Sequence, residues 1–487
     1  MSPTTVVIII AIYFGVLLLI SFLTSKGANN QSFFIGNKNS PWYLVAFGMI
    51  GTSLSGVTFI SVPGWVEATQ FSYLQMVLGY LLGYLVIGLV LLPLYYKLNL
   101  TSIYTYLKNR YGKYTYKTGA FYFILSRTIG AAFRLFLVAN VLQMAVFDAW
   151  GVPYFLTVAI TILLIWIYTF KGGIKTIVWT DSLQTLFMLL AVGITIWKIG
   201  SALNLDLSGI ASSISDSEFS KTFFFEDWRD KRFFWKQFIS GAFITIVMTG
   251  LDQDMMQKNL SCKSLKEAQW NMFSFSLVLV FVNLLFLSLG VLLYQYAAQI
   301  GMEIPTKGDE LLPSIALGGE LGFTVAILFI LGLIAAAYSS ADSALTALTT
   351  SVCIDILNIE NIEQEHKKSS RIKVHILMSF ILFSVIILFS FLNDESVISE
   401  LFTAAAYTYG PLLGLFTFGL VSTKKTVDKL VPIVCIASPV FTYLIHVNSK
   451  ALFNGYEFGF EILLINGAIT FMGLHLLPIF SRKTQVG

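Results

Sequence analysis

The feature that most limits what this chain can become is its succession of long apolar runs. Thirteen stretches of spanning length lie at approximately 4–25, 42–66, 71–96, 117–147, 152–170, 175–201, 233–256, 268–299, 323–355, 372–392, 396–421, 429–447 and 460–480. A bilayer core is about 30 Å thick, and a helix rising about 1.5 Å per residue needs about 20 apolar residues to cross it. Lipid offers the backbone no hydrogen-bond partner, so each run must close its N–H and C=O groups internally as a helix. The expected class is therefore an all-α polytopic membrane protein with 13 transmembrane helices in one domain spanning 1–487. Only 12% of the residues are charged, about half the share of a soluble domain.

Lysine and arginine are unevenly spread over the connections. If the N-terminus lies outside, 21 of them fall on inner connections, Lys171, Lys258, Lys263 and Lys266 included, and 7 on outer ones, while Arg127, Arg134 and Lys198 fall inside spans. Positive residues favour the inner side, so the reading is N-out and C-in, in a plasma (inner) membrane. The net charge of +4 is small, which argues orientation and not nucleic-acid binding. The N-terminal run has no basic leader region and no small-residue cleavage site, so it is read as a retained first helix. The longest outer loop, about 202–232, should carry a short surface helix.

Within the ninth run, Leu331–Thr350 (LGLIAAAYSSADSALTALTT) combines membrane-compatible hydropathy with a load of hydroxyls and one carboxylate. Ser339, Ser343, Thr346 and Thr350 share one stripe, and Ala336, Ser339 and Ser340 sit at i, i+3 and i+4. Single serines in membrane helices pack small-residue interfaces. A Ser-Ser pair with Asp342 beside it is better read as an ion site, because a carboxylate at mid-membrane is costly unless it faces a partner or water.

Two other runs are interrupted. The second, GMIGTSLSGVTFISVPGW, is punctuated by Gly48, Gly51, Gly56, Pro63 and Gly64; the seventh breaks near Thr249-Gly250 and turns polar at Asp252, Gln253 and Asp254. Freed carbonyls survive at membrane depth only where they line a cavity or bind something. Broken helices at corresponding positions of two halves point to a transporter with a midplane site. No residue-level similarity between the halves is visible; the repeat rests on this five-span spacing.

Four stretches, LLPLYYKLNLTSIYTYLKNRYG at 91–112, GGIKTIVWTDSLQTLFM at 172–188, GLDQDMMQKNLSCKSLKEAQ at 250–269 and GPLLGLFTFGL at 410–420, together with AAAYSSADS, resemble the sodium:solute symporter family of sugar, proline, sialic acid and monocarboxylate carriers. The set spans nearly the whole chain in family order. The resemblance implies a LeuT-type 5+5 inverted-repeat core over 42–421, one extra helix at 4–25 and two extra at 429–480. It also implies Na+ as co-transported ion, bound by the carbonyls of Gly51, Leu54 and Ala336 and the hydroxyls of Ser339 and Ser340. Several neutral oxygens suit a hard cation that must also leave. A second sodium site, used by some members, would gather Asp181, Ser339, Asp342 and Ser343. Family members carry a small hydroxyl residue where Asp342 stands, so Asp342 could bind sodium, hold a proton, or pair with Arg127 or Arg134.

The resemblance places the solute between the two broken spans, near Thr52, Ser53, Ser55, Thr58, Gln75, Thr245 and Thr249. Thr58, Val77, Thr245 and Leu279 stand where galactose-type carriers hold their sugar-binding residues, so a hexose is not expected. Arg127 and Arg134 are seven apart, on one face of the fourth span. A guanidinium facing the cavity suits a carboxylate, and Arg134 joins the expected binding residues. A sialic acid or a monocarboxylate leads; a neutral amino acid or sugar is the alternative. One charge crossing 100 mV is worth about 2.3 kcal/mol, and a tenfold sodium gradient adds about 1.4 kcal/mol. A monovalent anion carried with one sodium forfeits the first term, so substrate charge and ion count are one question.

Two other function classes fit less well. A proton-coupled carrier of the same fold would use Asp342 or Asp181. A membrane enzyme lacks support: His366, His375, His446 and His475 form no metal pattern, Cys262, Cys353 and Cys435 are scattered, and no HExxH, GxSxG or CxxC occurs. The chain stops soon after its last span, so no signalling tail is expected, and the carrier is read as a monomer.

Overall fold

The computed structural model describes residues 2–26, 30–169, 173–359, 364–391 and 397–483. Lys171 and Gly172, and the side chains of His366, Arg482 and Lys483, lie outside what is described. The described residues are almost entirely helical, with one isolated bridge between Ser40 and Cys262.

The helices that make up the apolar runs, in chain order, are α1 (Pro3–Thr24), α2 (Trp42–Thr69), α3 (Ser72–Lys97), α4 (Lys113–Trp150), α5 (Tyr154–Thr169), α6 (Ile174–Ala202), α7 (Phe234–Gly250), α8 (Gln253–Asn259), α9 (Leu265–Ile300), α10 (Phe323–Ile356), α11 (Lys367–Phe389), α12 (Val397–Thr408), α13 (Gly410–Val421), α14 (Asp428–Val447) and α15 (Ile462–Lys483). Among the described residues, nine are long and apolar enough to cross a membrane, or eleven when the bent pairs α7–α8 and α12–α13 each count as one span. The remaining two expected spans correspond to α5 and α15. With 16 residues, α5 is about 24 Å long, short of the hydrocarbon thickness.

Hydropathy says what enters the membrane; burial says what reaches the centre. The apolar window of α2 is 89% buried, that of α1 28% and that of α14 22%. The interior is thus α2 packed between α6 and α10, with α9 along its other flank and α7 paired to α3. Helices α1, α11 and α14 present Ile, Leu and Phe outward, as lipid contact requires. Glycine makes the central packing close. A Cβ on Gly48 would lie 2.8 Å from Asp181 Cβ, and one on Gly51 would lie 2.3 Å from Thr185 Oγ1.

The loop at 202–232 contains the expected surface helix, Leu207–Ser215, capped by Asp206, whose Oδ1 accepts the Gly209 N–H at 2.7 Å. One inner-loop assignment is corrected. Lys258 lies not in a connection but on α8, 1% exposed, because the seventh span bends by 70° and folds its polar tail back into the protein. The α12–α13 bend of 46° at Tyr409 was not foreseen from the sequence. Its signal is Gly410-Pro411, since proline at the first turn of a new helix cannot continue the ladder of the old one.

Candidate functional site

The centre of the molecule is the break in α2. Ser55 adopts φ 49° and ψ 173°, which no α-helical residue does. Reversing one residue interrupts the i to i−4 ladder and releases the carbonyls just before it. The hydroxyl-bearing turn of α10 faces that break: Ser340 Oγ donates to the Thr52 carbonyl at 3.1 Å. Ser339 Oγ lies 3.4 Å from the Ala336 carbonyl on its own helix. Gly51, Leu54, Ala336, Ser339 and Ser340 are all buried. The donor set at this crossing is neutral oxygen only, two hydroxyls and freed carbonyls, which fits a hard monovalent cation.

Beside this crossing lies a cavity between α2, α3, α4, α7, α9 and α12. Seven of the eight residues expected at the solute line it: Thr52, Ser53, Ser55, Thr58, Arg134, Thr245 and Thr249. Gln75 does not, and that expectation is corrected. Its Nε2 donates to the Arg232 carbonyl at 2.8 Å and its Oε1 accepts the Phe224 N–H at 3.1 Å. The residue sits in the first turn of α3, and the loop that carries Phe224 and Arg232 folds onto it. Missed from sequence were Tyr73, Tyr80 and Tyr84 on α3, Asn283 on α9 and Phe402 on α12. The tyrosine spacing, i, i+7 and i+11, is a helical stripe and was the available signal.

The two arginines of α4 have different surroundings. Arg127 is ion-paired with Asp254, and its Nη1 is 3.9 Å from Asp252 Oδ2, both carboxylates standing at the α7–α8 break. The Tyr409 hydroxyl also donates to Asp252. Sequence reasoning offered Asp342 as a partner for Arg127 or Arg134; the structure pairs Arg127 at the break instead. Arg134, about two turns along the same face of α4, is 6% exposed, and its Nε and Nη1 have no partner among the described residues. A buried guanidinium with vacant donors is costly unless something fills it. A carboxylate matches it in charge and in geometry.

The residues proposed for a second cation are each engaged elsewhere. Asp181 Oδ2 accepts from Lys258 Nζ at 2.6 Å and from Thr52 Oγ1 at 3.1 Å. Asp342 Oδ2 accepts from the Tyr168 hydroxyl at 2.8 Å, and its Oδ1 has no partner. Ser343 Oγ lies 3.2 Å from Asp254 Oδ2 and 3.0 Å from the Ser339 carbonyl. Lys258 was missed because its neighbours in sequence are polar, which reads as the end of a span.

A model of the sodium:solute symporter family matches residues 33–428. The sodium/sialic acid symporter SiaT of Proteus mirabilis is 26% identical over 425 residues, covering 84% of this chain and 83% of that protein. The human sodium-coupled monocarboxylate transporter 2 is 23% identical, covering 85% of this chain and 68% of that protein. Among solved structures, the substrate-bound, outward-open state of a Na+-coupled sialic acid symporter superposes with a TM-score of 0.82, covering 97% of this chain and 98% of that one at 20% identity.

Proposed function

The chain belongs to the sodium:solute symporter family, and from that premise we propose that it moves a small organic carboxylate across the membrane together with sodium, by alternating access. It is a multi-pass membrane protein and a sodium-coupled symporter of a small organic solute. The carboxylate class is supported by the vacant Nε and Nη1 of buried Arg134 in the cavity, and by relatives named for sialic acid and monocarboxylates. The cation site is Gly51, Leu54, Ala336, Ser339 and Ser340. One observation carries it: the Ser340 hydroxyl meets the Thr52 carbonyl at 3.1 Å, across the only break in α2. The topology is thirteen spans, N-out and C-in, around a 5+5 inverted repeat over 42–421, with α5 as the shortest crossing. The two broken helices, α2 and the α7–α8 pair, stand five spans apart, as that repeat requires.

The test is purified protein in proteoliposomes. Ser339→Ala combined with Ser340→Ala should abolish sodium-stimulated uptake while the protein stays monodisperse in detergent. Full sodium dependence in the double variant would refute the site. The solute is found by sodium-dependent thermal stabilisation against sialic acid, short monocarboxylates, proline and sugars. A second reading, proton coupling, is favoured by Asp342, which is buried with a free Oδ1. Uptake that ignores sodium and follows pH would select it.

A further inference from the structure

We propose that the ammonium group of Lys258 is a built-in cation, occupying the place at Asp181 that a second sodium ion would take, so that this carrier binds one sodium ion per chain. The inference rests on the sodium-coupled reading and adds to it the ion count.

Three elements meet at this point. Asp181 comes from α6, Thr52 from the turn of α2 just before its break, and Lys258 from α8, just after the second break. Lys258 Nζ reaches Asp181 Oδ2 at 2.6 Å and also lies against Thr52 Oγ1. The side chains of Lys258 and Asp181 are 2% and 1% exposed. An ammonium and a sodium ion carry the same charge and seek the same oxygens. An ammonium held by a four-carbon stem, in contact with a carboxylate and a hydroxyl, does the electrostatic work of a bound alkali ion without being released. A free sodium ion at the same carboxylate would sit within a few ångströms of that ammonium, with no water between them to screen the repulsion.

The α2–α10 crossing, lined by neutral carbonyl and hydroxyl oxygens, remains as the place for the one sodium ion. Thr52 connects the two places, since its hydroxyl belongs to the Lys258–Asp181 cluster while its carbonyl accepts from Ser340. With a single sodium, uptake of a monovalent anion moves no net charge, and the membrane potential does not drive it.

The experiment is equilibrium binding of radioactive sodium to the purified full-length protein, which needs no knowledge of the solute. The wild type should bind one sodium ion per chain. Lys258→Gln should bind two, a doubling, because Asp181 then lacks a cation. Lys258→Arg should bind one. Lys258→Gln combined with Asp181→Asn should also bind one, since neither the carboxylate nor the ammonium remains; if the single variant does not fold, the wild-type count by itself decides. Two ions bound by the wild type would overturn the proposal and leave sodium coupling intact. One ion bound by a folded Lys258→Gln would overturn it equally, by showing the lysine to be a structural ion-pair partner only. No sodium bound by the wild type would overturn the sodium-coupled reading itself, and the ion count with it.

Discussion

Replacing Arg134 by glutamine separates the two arginines of α4, which the structure puts to different uses. Arg134 lines the cavity with vacant donors, whereas Arg127 is paired with Asp254 and neighbours Asp252. Glutamine keeps most of the volume and removes the charge and the planar fork. A hydrogen bond to a charged group contributes about 1.5–3 kcal/mol, so Arg134→Gln should weaken a carboxylate solute roughly 10- to 150-fold. The half-saturating sodium concentration should move by less than threefold, since the cation is held by carbonyls and hydroxyls. Folding should not suffer, because no ion pair is broken. Arg127→Gln is the counterpart: it leaves two buried carboxylates without their cation, a loss of about 3–5 kcal/mol when one partner of a buried pair is removed. The assays are solute and sodium titrations of uptake in proteoliposomes, with thermal unfolding in detergent. Unchanged solute affinity in Arg134→Gln would remove the guanidinium from the binding site. Equal destabilisation by the two variants would refute the distinction drawn between them.

Two further outcomes follow from local geometry. Gly51→Ala places a Cβ 2.3 Å from Thr185 Oγ1, an overpacking of about 1–3 kcal/mol; adding Thr185→Ala should restore most of the loss, and a second substitution that restores nothing would contradict the close α2–α6 approach. In the connection between α9 and α10, Asp309 Oδ2 accepts the Val397 N–H at 3.3 Å at the start of α12, and burial pushes its carboxyl above the ordinary value of 3.8 despite that bond. A carboxyl raised in the fold contributes stability that is full below its unfolded value and declines as pH rises through its folded value. Asp309→Asn should therefore flatten the fall in thermal stability between acid and neutral pH, read from melting temperatures at matched ionic strength; an unaltered slope would exclude Asp309 as its source.

Much of the fold was legible because hydropathy and helix breaking are local. The thirteen apolar runs correspond to helices within a few residues, although one of those helices, Tyr154–Thr169, falls short of spanning length. Glycine clustering and the Thr249-Gly250 step marked where α2 and α7 lose their ladders, and Ser339-Ser340 marked the turn of α10 that faces the first break. The cavity residues came from the family resemblance, which sets the solute between those two breaks. Gln75 failed because a polar residue at the mouth of a helix reads the same whether it faces a cavity or a loop. The difference lies in Phe224 and Arg232, about 150 residues away, and in how their loop folds back.

The amino-acid sequence by itself determined that this chain crosses a membrane many times as helices, where two of them break, and which turn carries hydroxyls, because lipid removes every alternative partner for the backbone. Only the tertiary structure decided which charges meet. Lys258 and Asp181 are 77 residues apart and Arg127 and Asp254 are 127 apart, and no periodicity along the chain reaches that far. A polar residue beside a span is free to point to water or inward. The 70° fold of α8 back into the protein settles that choice for Lys258, since a charge carried inside must take the nearest opposite charge in place of the water it has lost.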